Sequence, residues 1–223
     1  MNIYNWTRNR SVKTNFFEPI NLLDLKKLVS SKNNFLPFGN GRSYGDVCLN
    51  NKNLISMRKI NKILFFDKKK GIIEVESGIL VSELLPEIIK SNYFLPVTAG
   101  TKFITVGGMV ANNIHGKNVK NNYFSHYIIS LEIVNSDGKH LTCSKHKNKK
   151  LFYSTIGGIG LTGVIYKVRF KLKKISSLEL QKKNIFFNKL NNINVFDKIS
   201  QNYDYSVTWL SSFSRSNNIK GIH

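Results

Sequence analysis

The chain is short of cysteine, acidic side chains, spaced histidines and long apolar runs, and each shortage closes off a class of protein. Its two cysteines, Cys48 and Cys143, make neither a disulfide framework nor a metal motif and read as reduced thiols. The five histidines, His115, His126, His140, His146 and His223, lack ligand spacing, so no structural zinc is expected. No apolar run approaches the roughly 18 residues of a membrane span, and the opening M-N-I-Y-N-W-T-R-N-R has no apolar secretory core. The expected setting is the cytoplasm, with peripheral attachment to the inner membrane surface as the open alternative. Only 13 acidic residues oppose 34 Lys and Arg, a formal net charge of +21. Such a charge points to nucleic acid or an anionic surface. The lysines, however, are spread along the whole chain with abundant Asn and Ile, as in an A/T-rich coding sequence, and form no arm or stripe. Basic and aromatic residues do not interleave on one face, so no nucleic-acid partner is expected. What remains is weak attraction to acidic lipid or a phosphorylated substrate.

What the chain does have is apolar material and glycine. At 41% hydrophobic and 12% aromatic, 223 residues can bury the core of one sizeable domain, or of one and a fraction. Residues 96–118 read P-V-T-A-G-T-K-F-I-T-V-G-G-M-V-A-N-N-I-H-G-K-N, a stretch that resembles a diphosphate cradle. Gly100, Gly107 and Gly108 permit close backbone approach, and a helix begun at 105–108 would turn its positive end to the ligand. One glycine stretch mostly marks a turn. This chain has three: residues 37–46 read P-F-G-N-G-R-S-Y-G-D, and residues 157–163 read G-G-I-G-L-T-G. Gly39-x-Gly41-x-x-x-Gly45 is not the dinucleotide fingerprint G-x-G-x-x-G, which excludes an ordinary Rossmann fold.

Periodicity and turn signals place the elements around these loops. A helix opening at Glu18-Pro19 puts Leu22, Leu25, Leu28 and Val29 on one face and ends over 32–34. Strands follow at 35–36, 54–56, 63–66 and 72–76. A second helix over 81–92 carries the stripe Leu84, Leu85, Ile88 and Ile89, with Pro86 tolerated near its first turn. A strand over 127–134 turns at N-S-D-G, 135–138, and returns over 139–143. After a helical turn at 151–156, a strand over 164–172 is expected to set Val164, Tyr166, Val168 and Phe170 on one face. Beyond Lys174 the pattern loosens, with strands at 178–180 and 205–210 and no terminal element. The expected organisation is an α+β domain over 1–174 and the beginning of a second, incomplete one over 175–223.

Taken in order, the three glycine stretches resemble those of the flavoprotein oxidases of the vanillyl-alcohol oxidase family, with their PCMH-type FAD-binding domain. The likeness runs from about Trp6 to Tyr205, and R-S-Y-G-D together with I-H-G-K-N is its most specific part. Within the family the chain looks most like the branch that oxidises the 2-hydroxyl of a polyprenyl-phosphate-linked ribose, the oxidising half of an epimerase. The resemblance implies a two-subdomain α+β fold enclosing FAD, followed by an α+β substrate domain. It implies that Gly39, Asn40, Gly41, Arg42, Ser43, Tyr44 and Gly45 wrap the diphosphate. Gly100, Thr105, Val106, Gly107 and Gly108 would contact the diphosphate and ribityl chain, and Asn112, Asn113, Ile114 and His115 would lie along the flavin. Val164 or Ile165 would close over the adenine side.

His115, Lys117 and Tyr44 are the catalytic candidates. Each has a plainer alternative: a histidine tied into a turn, a surface lysine, a tyrosine packed under its loop. Arg42 would hold phosphate or merely pair with Asp46. With no histidine in 39–46, FAD is expected to be non-covalent. The implied partners are a sugar or polyprenyl-phospho-sugar substrate and a separate NAD(P)-dependent reductase. An alditol or aldonolactone oxidase and an inactive flavin-binding fragment are the alternatives. The family's chains continue well past His223, so the sequence is expected to be C-terminally truncated and to lack a substrate-domain lysine. The segment V-K-N-N-Y-F at 119–124 also departs from the family in being one residue shorter and without glycine.

Overall fold

The computed structural model describes residues 1–32, 34–120, 123–188, 193–211 and 221–223. Two short strands, β1 (Asn2–Tyr4) and β2 (Ser11–Lys13), form an antiparallel hairpin, and β3 (Asn15–Phe17) leads to α1 (Leu22–Ser31). Asn21 caps α1 by accepting the Asp24 N–H at 2.9 Å, and the helix buries Leu25 and Val29 on the expected face. Of the segment expected to end it, residue 33 lies outside the described residues. Strands β4 (Phe35–Phe38) and β5 (Asn53–Ser56) complete a parallel sheet in the order β3-β5-β4. This small sheet delivers the chain into the first glycine loop.

A hairpin of β6 (Ile63–Asp67) and β7 (Ile72–Glu76) precedes α2 (Val81–Ile89). Pro86 is the sixth of the nine residues of α2, not near its first turn as expected. It is tolerated because it faces solvent, where water can meet the carbonyl its missing N–H leaves unpaired. After β8 (Tyr93–Phe94) come α3 (Val106–Ala111), a 3-10 turn at Phe124–Tyr127, β9 (Ile128–Val134) and β10 (His140–Ser144). Gly138 supplies the positive φ of +74° in the β9-β10 turn. Helix α4 (Lys149–Thr155) then leads to β11 (Val164–Lys171) and β12 (Lys173–Lys174).

The central sheet is antiparallel, in the order β10-β9-β11-β7-β6. Strand β11 departs from the single-faced pattern expected of it. Its pairing with β9 shifts between Ile165 and Lys167, so Tyr166 and Lys167 fall consecutively on one side of the sheet. Val164 and Tyr166 consequently pack with Leu25 and Val29 of α1, whereas Ile165, Val168 and Phe170 enter the main core with α2 and α3. Phe124, Phe152 and Phe170 are fully buried there, Phe124 edge-on to Phe170 at 5.2 Å. Lys167 meets Glu132 at 3.2 Å on the opposite side, and His140 meets the same carboxylate at 2.8 Å.

The last stretch contains β13 (Phe186–Phe187), α5 (Ile193–Ser200), β14 (Trp209–Leu210) and β15 (Gly221–Ile222), with sheet order β13-β15-β14. Residues 178–180 form no strand, because Leu178 and Leu180 are exposed with no neighbouring strand to pair. Of the expected 205–210 strand only β14 forms, and the segment ends on β15 instead of lacking a terminal element. The architecture is α+β, an antiparallel sheet covered by segregated helices.

Candidate functional site

The three glycine loops, far apart in sequence, meet around one cavity of about 550 Å³. The first loop contributes Gly39, Asn40, Gly41, Arg42, Ser43 and Tyr44, the second Gly100, Thr105, Gly107, Gly108, Asn112 and Ile114, and the third Gly160, Gly163 and Ile165. Absence of side chains is what lets the walls touch. A Cβ on Gly39 would stand 2.5 Å from Thr105 Oγ1, and one on Gly107 would stand 2.9 Å from Ser77 Cβ. The third loop is tied to the end of α3 by Gly157 N–H to Val110 C=O at 3.0 Å and Ile159 N–H to Ala111 C=O at 2.9 Å. Between those bonds Ile159 is held at φ +45°, a strained conformation for a β-branched residue, and lines the cavity.

The helix start is not where this cavity is open to an anion. Val106 N–H donates to Ile79 C=O at 3.0 Å, Gly107 N–H to Ser77 C=O at 2.7 Å, and Gly108 N–H to Thr105 Oγ1 at 3.1 Å. With these N–H groups paired, the helix start expected to turn its positive end to the ligand has no free amide at 106–108, although Gly107 and Gly108 do line the cavity as close-approach positions. Free donors on the lining include the amides of Asn40, Gly41 and Arg42 and those of Gly100 and Thr101, for which no acceptor is found among the described residues. Two clusters of unpaired N–H groups from different loops suit the two ends of a diphosphate.

The remaining candidates divide sharply. Arg42 stacks over the Trp6 ring at 4.7 Å, and Asp46 pairs with Arg10 at 3.3 Å, so the Arg42–Asp46 pair is not made. Tyr44 stands 72% exposed at the mouth. Asn112 donates its side-chain amide to Gly108 C=O at 3.0 Å, closing the end of α3. Gly45 lies off the lining, its carbonyl accepting from Asn5 at 2.8 Å, and Val106 is in the core. Asn113 sits at φ +39° with its side-chain oxygen accepting the Ser125 N–H at 3.1 Å. His115 and Lys117 are exposed and do not line this cavity; His115 is paired with Tyr123, their rings edge-on at 6.2 Å. Val164 packs against α1, away from the cavity, and Ile165 alone of that pair lines it, because of the β11 bulge. Residues 121–122 of the shortened loop lie outside the described residues.

Among the lining residues that escaped the sequence reading are Ser77, Cys48 and Met57. Ser77 is buried, and its hydroxyl has no partner among the described residues. Burial pushes the Cys48 thiol up, against backbone N–H groups of Cys48 and Ser43 that pull it down, and the thiol stays neutral. The V-E-S-G turn holding Ser77 carries no motif, so only the fold reveals it. Among the described residues no group of three His, Cys, Asp or Glu side chains could hold a metal ion.

Comparison with known proteins agrees with this geometry. The FAD binding domain family matches residues 21–144, more than half of the chain, and the chain belongs to that family. Its cofactor is FAD, and the unpaired amides, the orphaned Ser77 hydroxyl and the glycine contacts fit that group. Over 183 residues the chain is 31% identical to decaprenylphosphoryl-beta-D-ribose oxidase of Mycolicibacterium smegmatis, covering 79% of this chain and 40% of that protein. It is 31% identical over 130 residues to L-gulonolactone oxidase of Mus musculus, covering 58% of this chain and 30% of that one. With mitochondrial L-galactono-1,4-lactone dehydrogenase of Brassica oleracea it shares 27% over 196 residues, 82% of this chain and 33% of the relative. The chain thus spans well under two thirds of the length of each of these relatives.

Proposed function

We propose that the chain is the cofactor-holding part of an FAD-dependent oxidoreductase that oxidises a secondary alcohol of a sugar. The finer reading is the 2-hydroxyl of a polyprenyl-phosphate-linked ribose, oxidised to a ketone that an NAD(P)-dependent reductase then reduces. The observation that carries it is the convergence of three distant glycine loops on one cavity with unpaired amides at two places. When bound, FAD supplies the hydride acceptor. The amides of 40–42 and 100–101 would hold its diphosphate, while Ile104, Ile114, Ile159 and Ile165 would exclude water beside it. Tyr44 is the catalytic candidate that reaches this cavity, and at its mouth it would orient the substrate hydroxyl.

The attachment is non-covalent, since residues 39–46 hold no histidine and the Cys48 thiol is kept neutral. Flavin retained by acid-precipitated protein would show otherwise. The likeness to lactone-acting relatives supports a second reading, an alditol or aldonolactone oxidase. The proposed setting is the cytoplasm, at or near the membrane surface; no helix among the described residues is long and apolar enough to cross a membrane. The deciding experiment is a visible spectrum after FAD addition, followed by anaerobic reduction. Bleaching by a polyprenyl-phospho-ribose supports the first reading, bleaching by a free polyol or lactone the second, and a colourless protein that takes up no FAD overturns both.

A further inference from the structure

The lysines that form no arm or stripe in the sequence are gathered by the central sheet. Strand β10 ends at Ser144, which pairs with Ser130 near the start of β9, and Phe170 near the end of β11 pairs with Ile128 at that same start. Lys171 in turn pairs with Ile72, and Ile72 with Asp67, so the β6-β7 turn lies at this end too. Three segments therefore share one end of the sheet: K-K-K at 68–70, K-H-K-N-K-K at 145–150 and K-L-K-K at 171–174, with three, four and three lysines and no acidic residue. We infer that this end of the sheet is a docking face for an anionic membrane surface. The inference rests on where the charge lies and not on the proposed reaction, and it goes beyond that reading in naming the face that meets the bilayer.

Little at this end neutralises the charge. Lys173 is paired with Asp204 at 2.8 Å, but the other lysines of the three segments are exposed and make no ion pair among the described residues. The Asp67 carboxylate is engaged in its own turn, accepting the Lys69 and Lys70 N–H groups at 2.9 and 3.0 Å. Nor does this charge face the FAD site. Ser77 follows β7 and Gly163 precedes β11, so these two cavity-lining residues sit at the opposite end of the sheet. The basic loops are also held in place before any partner arrives. Ser144 Oγ accepts the His146 and Lys147 N–H groups at 3.2 and 3.1 Å, and the Asn148 side chain donates to Thr142 C=O at 2.8 Å. The Tyr93 hydroxyl donates to Lys68 C=O at 3.0 Å, and Leu172 N–H to Gly71 C=O at 2.7 Å, which ties the turn at 68–70 to the segment at 171–174.

The chemistry of this face selects a bilayer over nucleic acid. Five strands about 4.8 Å apart spread the strand ends and turns over roughly 19 Å, a broad front of charge. No arginine occurs in the three segments, although arginine is the side chain that grips phosphates and base edges bidentately. Lysine, a point charge on a flexible stem, suits a diffuse layer of headgroups in which each ammonium adds its own attraction. Apolar side chains accompany the lysines. Ile129 at the start of β9 and Tyr153 of α4 are exposed, as are Leu178 and Leu180, which follow Lys174 in the chain. Such side chains can enter the headgroup layer beside the charges, where tyrosine is favoured.

The test is vesicle flotation of the whole chain. Vesicles of phosphatidylcholine with about 30% phosphatidylserine should carry the protein up at about 0.1 M salt, pure phosphatidylcholine should not, and about 0.5 M salt should release it. Lys68→Gln with Lys69→Gln and Lys70→Gln, and separately Lys145→Gln with Lys147→Gln, Lys149→Gln and Lys150→Gln, should each weaken binding at least about tenfold. Removing charge elsewhere, by Lys27→Gln with Lys62→Gln and Lys139→Gln, should weaken it less than about threefold. Far-ultraviolet circular dichroism should be unchanged in every variant. An equal loss in the third variant would make net charge responsible and overturn the inference. So would absence of flotation, binding to pure phosphatidylcholine as tight as to the anionic vesicles, or a labelled DNA duplex that binds more tightly than the vesicles and depends on the same lysines. FAD uptake, measured on the same protein, keeps the two readings apart: uptake without flotation sinks this inference alone, and flotation without uptake sinks the proposed function alone.

Discussion

In residues 1–174 the buried side chains come from both faces of a five-stranded sheet, the small parallel sheet and four helices, whereas in 175–223 the described buried residues are Phe187, Phe196 and Ser200. The later stretch leaves Leu180, Phe186 and Trp209 exposed. It leans on the earlier one through Lys173–Asp204 at 2.8 Å, the Asn118–Tyr205 bridge and Val119 N–H to Asp204 C=O at 3.3 Å. Burial of apolar area dominates stability, so the first part can carry its own fold and the second borrows order from it.

The largest effect that would break this contrast is on stability. Phe170→Ala should cost about 3–5 kcal/mol in urea unfolding, and Trp209→Ala less than about 0.5 kcal/mol. Equal losses would mean that the two regions share one core. Next comes the cradle: valine at Gly39 would press on Thr105, and overpacking of about 1–3 kcal/mol should weaken FAD roughly tenfold or more in a fluorescence titration. Gly100→Ala, where no atom lies within 4 Å of the added methyl, should leave folding stability unchanged.

A third test uses alkali. Burial pushes the Cys143 thiol up to about 11, from 9.0. Its contribution to stability is therefore complete below pH 9 and lost as pH rises through about 11, on the order of 2 kcal/mol. Unfolding measured between those values should fall less steeply in Cys143→Ala than in the parent chain. The smallest effect sharpens the tether: Lys173→Ala removes a half-exposed ion pair worth at most about 1 kcal/mol, yet should speed proteolysis beyond residue 174. Unchanged cleavage there would show that the pair does not hold the two regions together.

The glycine loops, α1, α2 and the β9-β10 hairpin were legible because local chemistry dictates them: caps, a 3.6-residue stripe, a glycine at φ +74°. The bulge at Tyr166 was not, since it depends on how β11 pairs with β9, and it alone decides that Ile165 and not Val164 lines the cavity. Ser77 was invisible for a similar reason. Its importance arises only once Gly107 packs on it from 30 residues away. The short strands near the end were misplaced because alternation without a partner strand is an empty signal. His115 and Lys117 were singled out together, but what surrounds each was set by residues outside the motif, Tyr123 bridging to His115 and Ser206 donating its N–H to the Lys117 carbonyl.

The convergence of loops from residues 39, 100 and 160 has a kinetic side. The β9-β10 hairpin can close quickly, being local, but the cavity waits for β11 to find β7 across some ninety residues of chain. Flavin capture during refolding is therefore a clock for the last long-range pairing: secondary structure should return first, and FAD fluorescence should quench only when the sheet is complete.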